Sequence, residues 1–293
     1  RHQHDRLRGR SSAKAIRGLL LFATSLVASF TCAAPGDLDT TFSTDGKRTL
    51  SFFNESSRAE AVMVRPDGRI VVAGTCNLTP SAFCITQIST TGTLDLTFGS
   101  QGSGVEVVAI NSDSNRVTSA AMQPDGKVVV AGYCQDGARY DFCLARFTVG
   151  GRLDSSFGSG GKVATDVTAN NDFAYALALQ SDGKIVVVGQ CGSSTFGNFC
   201  VVRYHAHGAL DSSFSGNGIQ ATDIVRDDKA NAVAIQPDGK IIVAGACSET
   251  SSTSDARGCV VRYTSAGIAD TGFPKTPVLN GGKSTVEAVV LQP

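Results

Sequence analysis

The chain repeats itself, and the period limits what it can fold into. The dipeptide Asp-Gly recurs at Asp67-Gly68, Asp125-Gly126, Asp182-Gly183 and Asp238-Gly239, in steps of 58, 57 and 56 residues. A second marker keeps the same phase: Leu38-Asp39-Thr40-Thr41-Phe42 returns at 94–98, 153–157 and 210–214, and in degenerate form at 268–273. Two independent markers in step define a tandem array whose units stack on their neighbours.

Each unit reads as four strands, clearest at 161–167, 173–180, 184–191 and 199–205 in the third repeat. Between the second and third strands stands Gln-Pro-Asp-Gly-Lys or a close variant, where proline presets one turn angle and glycine accepts positive φ, so the chain makes a tight hairpin. The third strand is apolar at every position, as in Ile70-Val71-Val72-Ala73, Val128-Val129-Val130-Ala131, Ile185-Val186-Val187-Val188 and Ile241-Ile242-Val243-Ala244. Such a strand must be covered on both faces. The 32 glycines, two methionines and absent tryptophan agree with an all-β chain of frequent turns.

Four-stranded antiparallel units that need cover on both faces are satisfied by sheets stacked face to face around an axis, a β-propeller. A β-sandwich would not require the four-strand period. The blades fall near 47–90, 103–148, 161–206 and 218–264, and 281–293 supplies the first two strands of a partial fifth. Cut this way, the first blade already has all its strands, so no exchange between the termini completes the fifth. The expectation is an incomplete ring, a fragment of a larger propeller with an open last edge.

The APGDLD stretch beginning at Ala34, the LDxSFG motif and the QPDGK-hydrophobic-AG motif resemble the delta-60 repeat family of bacterial exported proteins over residues 34–293. The resemblance implies a propeller fold and an exported location. It implies no particular activity, since that family has no catalytic motif to carry over.

Residues 1–33 read separately, as a secretory signal peptide. Arg1, Arg6, Arg8, Arg10, Lys14 and Arg17 precede an apolar stretch at 18–30, with cleavage expected after Ala33. That run is shorter than the roughly 20 residues a membrane-spanning helix needs, so no membrane span is expected after signal removal. Processing removes six of 26 basic residues and one of 26 acidic ones, leaving 20 against 25 and a formal charge of −5. A mildly acidic domain without a basic run is a poor partner for nucleic acid. The location expected is secreted, periplasmic or cell-surface.

Eight cysteines follow residue 33, two per repeat: Cys76 with Cys84, Cys134 with Cys143, Cys191 with Cys200 and Cys247 with Cys259. The first of each pair follows the third strand and the second lies near the start of the fourth, so each pair faces across one hairpin and reads as a disulfide. A zinc site would need four converging ligands, whereas these pairs are whole repeats apart and lack regular histidine partners.

No constellation for catalysis or a cofactor emerges. His205 and His207 are the two histidines beyond the leader, too few for a metal site or a nucleophile-base pair. Asp39, Asp95, Asp154 and Asp211 in the LDxSF motif, and Asp67, Asp125, Asp182 and Asp238 in the hairpin turn, recur in every repeat and read as turn caps. Arg146, Arg203 and Arg262 share one repeat position, with Gln87 as the exception, and are expected to satisfy repeat aspartates or loop carbonyls. A glycosidase pair would have to come from acids that break the symmetry, such as Glu55, Glu60, Glu106, Asp172, Asp227, Asp228, Glu249 or Asp255, and nothing selects two of them.

In such a meander the loops between strands one and two and between strands three and four leave by the same edge. These loops differ from repeat to repeat, at 54–60 and 77–82, 111–116 and 135–140, 168–172 and 192–198, and 226–229 and 248–257. Variation on a rigid scaffold is where specificity usually sits. The candidate interaction residues are therefore Asn54, Arg58, Asn77, Asn111, Arg116, Arg139, Tyr140, Asn170, Asn171, Phe196, Asp227, Asp228 and Arg257. The reading is a non-enzymatic binding or scaffold module for a protein or polysaccharide at the cell surface. A propeller-type glycoside hydrolase or lyase is the alternative.

Overall fold

The computed structural model describes residues 36–50, 56–192, 196–250, 255–273 and 283–292. The proposed signal peptide and Asn54 lie outside them. Four antiparallel sheets follow one another along the chain. The first holds β1 (Ser57–Val64), β2 (Ile70–Cys76), β3 (Ala82–Ile88) and β4 (Val105–Val108). The second holds β5 (Asn115–Met122), β6 (Val128–Asp136), β7 (Arg139–Phe147) and β8 (Lys162–Thr165). The third holds β9 (Phe173–Leu179), β10 (Ile185–Gly192), β11 (Gly197–Tyr204) and β12 (Ile219–Thr222). The fourth holds β13 (Asp227–Ile235), β14 (Ile241–Ser248) and β15 (Arg257–Tyr263).

These sheets are offset by one strand from the repeats as cut above, which corrects the blade limits 47–90, 103–148, 161–206 and 218–264. The LDxSF connector turns the chain back so that β4 pairs with the free edge of β3, with Phe83 opposite Val108. The strand read as opening the second blade thus closes the first. The crossover at 109–114 then carries the chain to the next sheet, and β7–β8 and β11–β12 repeat the arrangement. For the same reason 47–50 is not a strand of the first sheet. Residues 281–293 stand as the partial fifth, and their described part, 283–292, has no strand pairing among the described residues. That segment lies against the fourth sheet, where Ser284 N–H donates to Ala256 O and Val286 N–H to Gly245 O.

The middle strands are buried from both sides. Val128 and Val130 pack with Val71, Ala73, Phe83 and Ile85 of the first sheet, while Val129 and Ala131 pack with Ile185, Val187 and Tyr204 of the third. Val186 and Val188 then face Ile241, Val243 and Val261 of the fourth. The first strands of successive sheets contact one another, β1 with β5, β5 with β9 and β9 with β13, and are therefore innermost. This is the β-propeller arrangement. The outward face of the first sheet is the exception to coverage: Val62 and Val64 are 68% and 66% exposed. With Arg48, Leu50, Ile70 and Val72, Val62 lines a cavity of about 380 Å³.

Every innermost strand carries a bulge, between Ala59 and Ala61 in β1, Val117 and Ser119 in β5, and Ala230 and Ala232 in β13. The kink presses a carbonyl onto the adjacent middle strand. A Cβ on Gly74, Gly132, Gly189 or Gly245 would overlap the carbonyl oxygen of Arg58, Arg116, Phe173 or Lys229 respectively. This steric demand explains the glycine that ends each valine run, where φ is ordinary and no turn is made.

The sheets are locked together at the Asp-Gly edge. Arg146 donates from Nε to Asp154 at 2.8 Å and from Nη1 to Ala206 O in a turn of the third sheet, while its guanidinium covers the Phe157 ring at 4.8 Å. Arg203 repeats this with Asp211, Ser265 O and Phe214. Where Gln87 takes the arginine's place, Arg65 enters from the hairpin turn. It donates to Gln87 Oε1 and to Gly126 O and Val149 O of the second sheet, and Gln87 passes a hydrogen bond on to Asp95. The positions equivalent to Arg65 are Gln123, Gln180 and Gln236, so arginine and glutamine have exchanged places with the guanidinium kept at the junction.

The crossovers into β5, β9 and β13 are tied at the other edge by a residue at or beside the start of each strand. Asn115 Oδ1 accepts from the N–H groups of Ile110 and Asn111, and Asp172 Oδ2 from those of Val167 and Thr168. Asp228 Oδ2 accepts from Ile224 and Val225, but its Oδ1 is buried without a partner. Burial, followed by the nearby charges of Asp223 and Asp227, pushes its carboxyl up to about 6.

Two predictions follow from these junctions. Arg65→Gln alone should lower stability by about 2–3 kcal/mol, the loss of buried hydrogen bonds to a charged donor. Adding Gln87→Arg should restore most of it, and a denaturant-unfolding double-mutant cycle measures the coupling. Asp228 holds its proton more tightly folded than unfolded, so ionising it weakens the fold as pH rises from about 4 to about 6. Asp228→Asn should therefore raise Tm near pH 7 by about 2–4 °C and leave it unchanged below about pH 4, as followed by a thermal melt.

Candidate functional site

The two edges of the stack do different work. At the Asp-Gly edge, side chains are consumed by turns and junctions: Asp67, Asp125, Asp182 and Asp238 each accept the N–H two residues on, from Arg69, Lys127, Lys184 and Lys240. Asp95, Asp154 and Asp211 cap Thr97, Ser156 and Ser213 in the same way. Hydrogen bonding and the Arg146 and Lys127 charges outweigh burial at Asp154 and lower its carboxyl to about 2. The opposite edge carries the loops that differ between repeats.

On that loop edge the first and second sheets enclose a cavity of about 300 Å³ lined by Arg58, Thr75, Asn77, Ser81, Ser114, Arg116, Tyr133 and Tyr140. Arg58 lies opposite Thr75 on β1, and Arg116 opposite Tyr133 on β5, so they hold one repeat position on adjacent innermost strands. Arg58 Nε meets Glu60 at 2.8 Å with its side chain 64% exposed. Asn77 is held by Ser56, and the hydroxyls of Ser81 and Ser114 are 2.9 Å apart. The Tyr133 ring meets Tyr140 and Phe173 edge-on, with centroids 5.5 and 5.1 Å away, and Tyr175 stacks beyond Phe173. Rings fixed by one another present a preformed aromatic surface.

Of the residues expected to face a partner, Arg58, Asn77, Arg116 and Tyr140 are thus brought together. Asn111 and Asn171 serve the scaffold: Asn111 N–H binds Asn115, and Asn171 Oδ1 accepts from Tyr140 N–H. Asp228 is a crossover tie and not an exposed contact, and Asp172 is its repeat equivalent and not a symmetry-breaking acid. Asp227 accepts from Gln190 and Gly197 between the third and fourth sheets, and Phe196 lies under the Arg226 guanidinium at 4.0 Å. Asn170 and Arg257 are exposed away from the cavity. His205 and His207 stack on each other, and His205 Nε2 is 3.6 Å from Asp211. Sequence reasoning missed Tyr133, although it breaks the repeat visibly: Thr75, Gln190 and Ala246 stand at its position.

Arg139 lies elsewhere, in a second cavity with Asp136, Asp141 and Asp166. Asp141, Asp166 and Asp172 bring ligand oxygens within 4.8 Å of one another, the one such group among the described residues with the chemistry for a hard cation. Both oxygens of Asp172 are already engaged by Val167 and Thr168. Burial, then the neighbouring carboxylates, raises Asp141 above its ordinary value.

The eight cysteines form four disulfides, Cys76–Cys84, Cys134–Cys143, Cys191–Cys200 and Cys247–Cys259, with Cα–Cα distances of 5.7–5.9 Å. Each closes the hairpin that ends at the loop edge. Four such bonds suit an oxidising environment. No helix among the described residues is long and apolar enough to cross a membrane.

Comparison with known proteins agrees with the sheet pattern. Residues 65–98, 123–157, 180–214 and 236–273 match a family model described as a domain of unknown function (DUF5122) beta-propeller. No curated protein matches the chain. Similar solved structures include a protein of unknown function from Bacteroides caccae, 10% identical with a TM-score of 0.34 over 78% of this chain and 86% of that one. An ulvan lyase of polysaccharide lyase family PL25, bound to -[GlcA(1-4)Rha3S]-, is 10% identical with a TM-score of 0.44 over 73% of this chain and 54% of its own, so the chain spans about half its length. An exo-1,5-alpha-L-arabinanase from a bovine ruminal metagenomic library is 10% identical with a TM-score of 0.37 over 71% of this chain and 76% of that one. Each of the four matched segments runs from an Asp-Gly turn through two sheet strands to an LDxSF phenylalanine or its degenerate counterpart, and that repeated match agrees with the β-propeller fold.

Proposed function

We propose that this chain is an exported, non-enzymatic binding module of the delta-60 repeat type that holds a polysaccharide on its loop edge. The observation that carries the reading is the cavity between the first and second sheets, where side chains that differ between repeats converge while the opposite edge is spent on turns and junctions. Tyrosine rings with amide and hydroxyl groups beside them suit a polyhydroxylated ligand better than an apolar one. A rigid scaffold with variable loops needs no moving part to bind.

The enzymatic alternative asks for two asymmetric acids in a deep central pocket. The carboxylate cluster at Asp141 and Asp166 instead edges a shallow cavity on β7 and the β8 crossover. The reading is tested by affinity electrophoresis of the purified protein through gels containing a panel of polysaccharides, with assay of each for new reducing ends. Retardation by at least one polymer without cleavage is expected. Tyr140→Ala should weaken binding about tenfold, the loss of roughly 1–3 kcal/mol at a ring contact, whereas Lys127→Ala on the opposite edge should not. Cleavage of a retained polymer, or equal loss from both substitutions, would overturn it.

A further inference from the structure

We infer that the cavity between the first and second sheets is a subsite for an acidic sugar, whose carboxylate or sulfate group is clasped by Arg58 and Arg116 while its ring lies against Tyr133 and Tyr140. The inference rests on the loop-edge reading and adds the class of ligand.

The arginines of the junction position have a structural partner: Arg146, Arg203 and Arg262 each meet the aspartate of their own LDxSF motif or its equivalent. Among the described residues Arg116 makes no ion pair, and it lines the cavity opposite Tyr133. Among the described residues no acid lines the cavity, although Glu60 beside it pairs with the Arg58 guanidinium. Two guanidinium groups at one repeat position on neighbouring strands offer a pair of forks, the donor geometry that recognises carboxylate and tetrahedral oxyanions.

The backbone explains why this pair is aimed at the cavity. Both arginines directly precede the bulge of their innermost strand, and their carbonyls are pressed onto Gly74 and Gly132. The same position carries Phe173 in the third sheet and Lys229 in the fourth, so the row is cationic or aromatic throughout and never acidic. Residues 34–293 hold 20 basic against 25 acidic residues, so a positive pocket here is local and not a consequence of overall charge.

The remaining lining selects a sugar over a bare anion or an acidic peptide. Tyr133 and Tyr140, locked edge-to-face, give a rigid ring surface at little entropic cost. Asn77, Ser81 and Ser114 add amide and hydroxyl groups for sugar hydroxyls. At about 300 Å³ the cavity is at the small end of ligand sites, matched to part of a polymer rather than a whole one.

The test measures binding of the full chain to polygalacturonate, dextran sulfate, uncharged dextran and polyglutamate by isothermal titration, alongside Arg58→Gln, Arg116→Gln, their combination and, on the exposed turn of the opposite edge, Arg152→Gln. Retention of one or both acidic polysaccharides over uncharged dextran is expected, and which of the two identifies carboxylate or sulfate as the recognised group. Each Arg→Gln change in the cavity should weaken binding at least about tenfold, as expected for a charge-assisted hydrogen bond, and Arg152→Gln should leave it unchanged. Arg116→Lys keeps the charge without the fork, and an intermediate loss is expected. Thermal melts confirm that each variant is folded. Binding unaffected by the double substitution, or polyglutamate bound as tightly with the same arginine dependence, would overturn the acidic-sugar assignment. Uncharged dextran bound in a Tyr140-dependent manner would overturn that assignment and leave the loop-edge reading standing. Absence of binding to every polysaccharide overturns both.

Discussion

A strand that is apolar on both faces cannot end a structure. Each of β2, β6, β10 and β14 has valine, isoleucine or alanine on alternate sides, so each sheet needs another against it, and the need passes along the chain. Burying both faces of Val128–Ala131 joins three successive sheets through one strand. The open face of the first sheet, with Val62 and Val64 in water, shows what the same surface looks like where the condition is unmet.

That demand distributes labour between the edges. Sheets stacked around an axis must be held in angle as well as in contact, and the Asp-Gly edge does this with arginine, aspartate and the LDxSF phenylalanine, whose ring packs under the turn glycine of the next sheet, as Phe98 does at Gly151 and Phe214 at Gly267. Side chains so committed cannot vary without loosening a junction. Loop-edge side chains carry less of this duty, because disulfides across the hairpins and the Asn115, Asp172 and Asp228 ties already fix the backbone there. Freedom to vary and rigidity therefore coincide at one edge, the combination a binding surface requires. The cavity holding Arg58, Arg116, Tyr133 and Tyr140 lies there.

Much of this was legible in the residues. The period, the hairpin turns, the double-faced strands, the cysteine pairing and the capping role of the repeat aspartates each follow from local chemistry that one repeat exhibits and the next confirms. Gln87 was visible as an exception, but its compensation was not, because Arg65 belongs to a different element and reaches the junction only after the sheets are stacked. The blade limits failed for a related reason. The LDxSF connector and the crossover are both polar and turn-rich, and nothing local says that β4 joins the strand behind it and not the one ahead. Asp172 and Asp228 looked asymmetric because their counterpart in the second sheet is the uncharged Asn115, which makes the same hydrogen bonds.

By itself the sequence determined that this protein is an array of four-stranded antiparallel units with covered middle strands, since period, alternation and turn chemistry act over a few residues and need no distant partner. Only the tertiary structure decided which strand is innermost, where one sheet ends and the next begins, and that Arg58, Arg116, Tyr133 and Tyr140 share a cavity. Those facts depend on which edges and faces meet, and residues some 60 to 80 positions apart along the chain become neighbours only through that choice.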